Sequence, residues 1–309
     1  MTIHVVKPNR LSIRGSFSRE YSPIMTIQSG DTVRFSTLDS GWGIGPYTSF
    51  WEREKFPRRQ EGDGGHALCG PIALHGAKAG MTLEVRINDI VTGSWGWSSA
   101  GGFSHDINNW LGLADGEQFI LNWELDTKAM TGVSHLGHKV GLRPFMGVMG
   151  VAPDEPGFHS TWQPHFWGGN IDCKELIAGS TLFLPISVTG ALFSVGDGHA
   201  VQGDGEVGVP ALECPMELVD VTFFVRDDIK ITYPRAKTPN GWITFGFHES
   251  VNEAMMIALK GMLDLMEELY GYNRKEALAL ASLVVDLRIT QIANKILGVH
   301  AILPYGAIR

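Results

Sequence analysis

Residues 177–201 read IAGSTLFLPISVTGALFSVGDGHAV. The opening eight carry a phrase that occurs three times: Gly, any residue, Thr, then Leu or Val, any residue, and an apolar residue. The other copies are QSGDTVRF (28–35) and KAGMTLEV (78–85). Glycine reaches the positive-φ conformations that tight turns require, and Thr and Val suit a pleated strand. Each copy therefore predicts a turn feeding a strand whose alternate side chains share a face. The repetition predicts a mainly β chain, an antiparallel sandwich or barrel with internally related halves.

Reading outward from that phrase, 38 glycines punctuate the chain, and short β-rich segments run to about residue 245. Further strands are expected near 217–233 and 242–247. At Ser250 the pattern changes. Ser250-Val-Asn-Glu253 has the form of a capping box, and Met255, Leu259, Met262, Leu263, Met266 and Leu269 recur at helical spacing until Gly271 ends the element. A second helix is expected from Asn273, with Glu276 in the matching third position. No linker or composition break divides the chain. The expectation is one structural unit: a body over 1–247 that carries the active site, with a helical hairpin and C-terminal segment over 248–309 packed on it.

Composition narrows the class. The chain has 309 residues, 44% hydrophobic and 19% charged, which is a globular balance. A net charge of -8, with no run of Lys or Arg, predicts that neither nucleic acid nor an anionic membrane is a partner, because either would be repelled. The N-terminus lacks an apolar signal region and no apolar run is long enough to span a bilayer, so a cytoplasmic location is expected. Cys69, Cys173 and Cys214 are odd in number and outside any CxxC spacing, which signals neither a disulfide framework nor a thiolate zinc site.

The chemistry concentrates where the run TLFLPISVTGALFSV enters GDGHAVQGDGE (196–206), a stretch with three acids, one imidazole and four glycines. The expectation is a glycine-rich loop at a strand end, a place where a rigid sheet displays reactive groups. Asp197 and His199 are one residue apart, and glycines let them converge on a point. Carboxylate oxygens with an imidazole suit a divalent cation such as zinc, manganese or iron(II), whereas an all-oxygen set favours calcium or magnesium. Asp172 in GGNIDCKEL and Glu213 in ALECP are the best further ligands; Asn170 can orient Asp172, and Asp204 and Glu206 remain as supporting groups or a general base. A solvated Asp-Gly turn is the bland alternative. His135 and His138 lie three apart in a segment that reads as loop, and His159 and His165 flank the Trp-rich STWQPHFW. His248-Glu249 begins like HExxH, but Asn252 stands where the second His would be. Serine-elbow, P-loop and dinucleotide signatures are missing.

With these residues in view, the chain resembles the acetamidase/formamidase family. The matching stretches are LRPFMGVMGVAPDEPG (142–157), GGNIDCKEL (168–176), GSTLFLPISVTGALFSVGDGHAVQGDGEV (179–207) and ALECP (211–215), with looser matches at GPIAL (70–74), GSWGW (93–97) and DLRITQ (286–291). The resemblance implies a jelly-roll-like β-sandwich with an added helical part, a homo-oligomer, a small neutral amide as substrate, and hydrolysis of formamide or acetamide to the acid and ammonia. It also implies a divalent metal, most often zinc. On that reading Asp172, Asp197, His199 and Glu213 hold the metal, Asp204 or Glu206 moves protons, and Asn170 and Trp97 meet the substrate; Trp95, Trp162 and Trp167 are further wall candidates. Two places depart from the pattern: Cys69 stands where Thr often precedes Gly-Pro, and 99–112 matches little of the family. Two other readings compete. One is an amidase with a cysteine nucleophile, Cys173 foremost; the other is a non-catalytic sandwich whose acidic loop binds structural calcium.

Overall fold

The computed structural model describes residues 1–48, 52–59 and 61–309. The thrice-used phrase does what its chemistry predicts. Gly30, Gly80 and Gly179 all have positive φ, at 96°, 83° and 87°. In each copy the residue after the glycine donates its N–H to the carbonyl three positions back: Asp31 to Gln28, Met81 to Lys78 and Ser180 to Ile177. Positive φ at the third residue of a four-residue turn is the glycine-demanding geometry. The strands Thr32–Thr37, Thr82–Thr92 and Thr181–Pro185 each start at the Thr of the phrase.

All three belong to one sheet of nine strands, ordered Ile3–Val6, Thr32–Thr37, Met216–Arg226, Thr82–Thr92, Thr181–Pro185, Arg235–Lys237, Gly241–His248, Leu297–Pro304 and Asp286–Gln291. Among the described residues, a second sheet of twelve strands faces it. Phe193 and Phe223, one from each sheet, meet edge to face with ring centroids 4.9 Å apart, both fully buried. The protein is mainly β, a sandwich with few helices, as the sequence predicts.

The run 181–195 is not one strand. It leaves the nine-stranded sheet after Pro185 and turns through Gly190, Ala191 and Leu192, all at positive φ; it then enters the other sheet as Phe193–Val201. That second strand is a hub: Phe145–Gly150, Leu212–Glu213 and Leu68–Leu74 all pair with it. Asp197 and His199 therefore stand inside a central buried strand rather than on a loop, and the loop starts only at Gln202.

Helices Val251–Tyr270 and Arg274–Val284 lie on the strands Gly241–His248 and Leu297–Pro304. Met262 and Met266 are fully buried with Ala254, Ala258 and Leu265, so the methionine stripe is core. Ser250 stands at the cap position, but its side chain makes no capping bond; Asn273 does cap, accepting from the N–H groups of Lys275 and Glu276. After Val284 the chain returns to β structure, where Asp-Leu-Arg-Ile-Thr suits a strand better than a third helix turn. Among the described residues, no helix is long and apolar enough to cross a membrane.

Candidate active site

The hub strand and its partners bring five ionisable side chains to one place. Asp197 and His199 come from Phe193–Val201, and Glu213 is opposite His199 in the neighbouring strand. Asp172 follows the short strand Gly168–Asn170, and Glu206 closes the loop after the hub. His199 Nε2 lies 3.2 Å from a Glu213 oxygen and 3.4 Å from one of Asp197. Ligand atoms of Asp172, Asp197 and His199 lie within 4.8 Å of one another, as do those of His199, Glu206 and Glu213. All five side chains are buried.

Local backbone geometry is unusual here. Asp172, Asp197 and Glu206 have φ of 51°, 59° and 46°, left-handed conformations that cost a side-chain-bearing residue about 1–2 kcal/mol each. Three such residues converge on one cluster. Beneath them runs Gly147, where a Cβ would stand 2.5 Å from an Asp197 oxygen, 2.7 Å from one of Asp172 and 2.9 Å from the His199 ring. Only glycine leaves that room. The other face of the imidazole is fixed: His199 Nδ1 is 2.9 Å from Gln202 Oε1, and Gln202 Nε2 donates to the Asp172 carbonyl at 2.8 Å. Gln202 thus orients the ring so that Nε2 faces the acids.

Burial acts to raise the carboxyl pKa values, and it wins at Asp172, Glu206 and Glu213, with neighbouring carboxylates adding to it and His199 opposing. At Asp197 burial is outweighed by the adjacent His66 and His199, and the carboxyl is held well below its usual range. Burial pulls His199 down, but Glu213 and Asp197 reverse that and raise it well above an ordinary imidazole. Burial and mutual repulsion thus favour the neutral form in three of the four carboxyls when no other positive charge is at hand.

The donor set fits a divalent cation. Asp172 Oδ1, Glu213 Oε2 and His199 Nε2 are buried without a hydrogen-bond partner, and so is Asn170 Oδ1 beside them. Buried polar atoms almost always find partners, so several orphans in one spot mark a place built for another group. Mixed oxygen and imidazole donors are the chemistry of zinc-like ions rather than calcium.

Above the cluster is a cavity of about 500 Å³ whose wall includes Asp197, Glu206, Glu213, Asn170, Trp97 and Trp162. Trp97 Nε1 is committed to Asp39 at 2.7 Å, so this residue offers the cavity its ring. Neither Trp95 nor Trp167 reaches the wall; Trp167 stacks on His165 with centroids 4.3 Å apart. His135 takes the Asn122 N–H on an exposed hairpin, and His159 bonds the Glu155 carbonyl, so both are structural. Asp204 stands away from the cluster, 3.0 Å from Lys174 Nζ and 3.8 Å from Arg288. His66, Gln202 and Gly147 escaped the sequence reading: His66 lies in a stretch with no ligand-like spacing, and the tasks of the others appear only in three dimensions. The cysteines are fully buried, and burial pushes the Cys69 thiol up to about 12 and raises Cys173 and Cys214 as well. None lines the cavity.

Residues 159–304 match the sequence pattern of the Acetamidase/Formamidase family. The resemblance to that family holds. The crystal structure of an acetamidase from Bacillus halodurans superimposes with a TM-score of 0.85 at 26% identity, covering 97% of each chain. A candidate formamidase of Schizosaccharomyces pombe is 26% identical over 234 residues, 59% of this chain and 56% of that protein. An acetamidase of Mycolicibacterium smegmatis is 49% identical over 47 residues, 15% of this chain and 12% of its own length. The chain thus spans little more than half of the yeast relative and a small part of the mycobacterial one. The family match contains Asp172, Asp197, His199, Glu206 and Glu213.

Proposed function

We propose that the protein hydrolyses a short linear amide such as formamide or acetamide to carboxylate and ammonia, with a divalent cation, zinc in the first instance, held by Asp172, Asp197, His199 and Glu213. The observation that carries this reading is the cluster of orphaned buried donors on the floor of a cavity, in a chain similar to acetamidases and formamidases. A cation bound there would polarise the amide carbonyl and make water acidic enough to attack at neutral pH.

The chain's own residues supply the rest. Gln202 fixes the His199 tautomer. Glu206, buried among the other acids, accepts a proton from the attacking water and returns one to the nitrogen that leaves as ammonia. Asn170, with a free carbonyl oxygen at the cavity wall, accepts an N–H of the amide, and the Trp97 ring excludes water from one side. Asp204, the other acid named from the sequence, is paired with cations and has no part in the step. A cytoplasmic setting and self-assembly into a homo-oligomer accompany this reading.

The test is metal content and ammonia release from formamide and acetamide, before and after chelation and on adding metals back. Loss on chelation and return with zinc, manganese or iron is expected. Undiminished turnover in fully stripped protein would sink the metal reading. Cys173→Ser separates the thiol alternative, and full activity is expected. Calcium-dependent melting with no turnover of either amide would favour the binding-protein alternative.

A further inference from the structure

The cavity over the acid cluster holds about 500 Å³, within the ~300–1,000 Å³ range that encloses drug-sized ligands. Acetamide is far smaller. Besides the acids, the cavity lining includes three cationic side chains: Arg53, Lys55 and Arg58. Arg53 is neutralised, since its buried guanidinium is paired with Asp39, which also takes the Trp97 N–H. Lys55 and Arg58 are not. Among the described residues neither has a carboxylate within ion-pair distance, and Arg58 lies 5.1 Å over the Trp42 ring rather than against an acid. Partial burial lowers the Lys55 ammonium, and the charges of Arg53 and Arg58 lower it further; burial likewise lowers Arg58, with Arg53 adding and Asp63 opposing. Among the described residues, Lys55 and Arg58 thus stand at the cavity wall as cations without an acid in contact, in a chain whose net charge is -8. Arg58 gains from the Trp42 ring and both residues are exposed, yet neither has an anionic partner in contact, and a charged group entering a cleft bordered by opposite charge is drawn in and oriented.

We infer that the preferred substrate is a linear amide bearing a carboxylate a few bonds from the amide group, docked with its carboxylate against Lys55 and Arg58 and its amide over the acid cluster. This rests on the amidase reading and extends it to a substrate class. The acids on the floor repel the carboxylate from the reacting end, so the two charge clusters fix the direction of entry. For the simplest probe, succinamate, the C–N bond breaks and a C–O bond forms: ⁻OOC–CH₂–CH₂–CO–NH₂ + H₂O gives succinate dianion and NH₄⁺. One water proton reaches the departing nitrogen through Glu206, and the acid product gives up the other.

The experiment compares succinamate with isocaproamide, in which an isopropyl group replaces the carboxylate, on the metal-loaded protein and on the double variant Lys55→Gln/Arg58→Gln. We expect kcat/KM for succinamate to exceed that for isocaproamide by more than tenfold, and this ratio to fall at least tenfold in the variant. A wild-type ratio at or below one, or a ratio that the double substitution leaves unchanged, overturns the inference while leaving the amidase reading intact. If no amide is turned over, that reading fails instead, and calorimetric binding of succinamate decides the anion site by itself. At least tenfold weaker binding to the variant supports it; equal binding, or none to either protein, removes it.

Discussion

Two acid-rich clusters stand side by side in this molecule, built from interleaved stretches of sequence. Asp172 belongs to one and Glu175 to the other; Glu206 belongs to the first and Asp204, two residues earlier, to the second. In the second cluster every carboxylate has a cation: Asp204 has Lys174 and Arg288, and Glu175 has Arg143 at 2.6 Å and Arg288 at 3.5 Å. Glu175 is buried, but its countercharges reach solvent, both arginines at about 40% side-chain exposure, and Asp204 is exposed at 30%. In the first cluster four buried carboxylates crowd round His199, with His66 beside Asp197 alone; donors are left unpartnered, and three backbones are held left-handed. The comparison teaches that acidic composition does not mark a reactive centre. Burial without matching countercharge does, because folding alone would not retain it.

The contrast is broken most directly at the imidazole. His199→Ala should reduce ammonia release to background while circular dichroism stays native; a variant with measurable wild-type-like turnover would remove His199 from the site. Next comes the pair two residues apart. Glu206→Gln should lower kcat by about 10²–10⁴-fold, the usual worth of a general acid–base group. Asp204→Asn should change kcat by less than about threefold, because a part-exposed ion pair contributes roughly 0–1 kcal/mol. Equal losses in the two variants would erase the distinction between the clusters.

Gly147→Ala tests the room under the first cluster. Its Cβ would press on Asp197, Asp172 and His199 at once, and overpacking of this kind costs about 1–3 kcal/mol. The expected result is a lower unfolding midpoint together with weaker metal retention; a midpoint and metal content equal to wild type would show the space to be spare.

A smaller effect sharpens the boundary of the second cluster. His300 is fully buried beside Thr290, and burial holds its pKa down at about 4. The unfolded chain takes up the proton first, near 6.5, so stability contributed by neutral His300 is present above that pH and is lost as pH falls toward 4. At about 1.4 kcal/mol per pH unit this is at most roughly 3.5 kcal/mol. Denaturant midpoints measured between pH 7 and 4 should fall less steeply in His300→Gln; identical slopes would refute the assignment.

How much of this was legible beforehand differs between fold and site. The turn phrase announced the strands because its chemistry is local: a glycine at positive φ and a Thr at the strand start need nothing distant. The helical hairpin was legible for the same reason. The Ser250 cap is the exception: its side chain makes no capping bond, and its N–H is taken locally by His248 Nδ1. Asp197, His199, Asp172 and Glu213 were named from residue type and glycine context, and the structure brings all four together. The choice between Asp204 and Glu206 was not legible, because Lys174 and Arg288 lie 30 and 84 positions from Asp204 in the chain, and their pairing exists only after folding. His66 and Gln202 acquire their roles in the same way.

The loop that ends in Glu206 is pinned by the chain's last strands. Gly205 donates to the Thr290 carbonyl, Ile292 donates to the Gly205 carbonyl, and Asn294 Nδ2 reaches Asp172. Without the segment beyond residue 285 the chain still contains Asp172, Asp197, His199 and Glu213, but the loop that carries Glu206 lacks these backbone anchors. The placing of Glu206 against the other acids therefore depends on backbone pairing across about 85 positions of sequence, from Gly205 to Thr290.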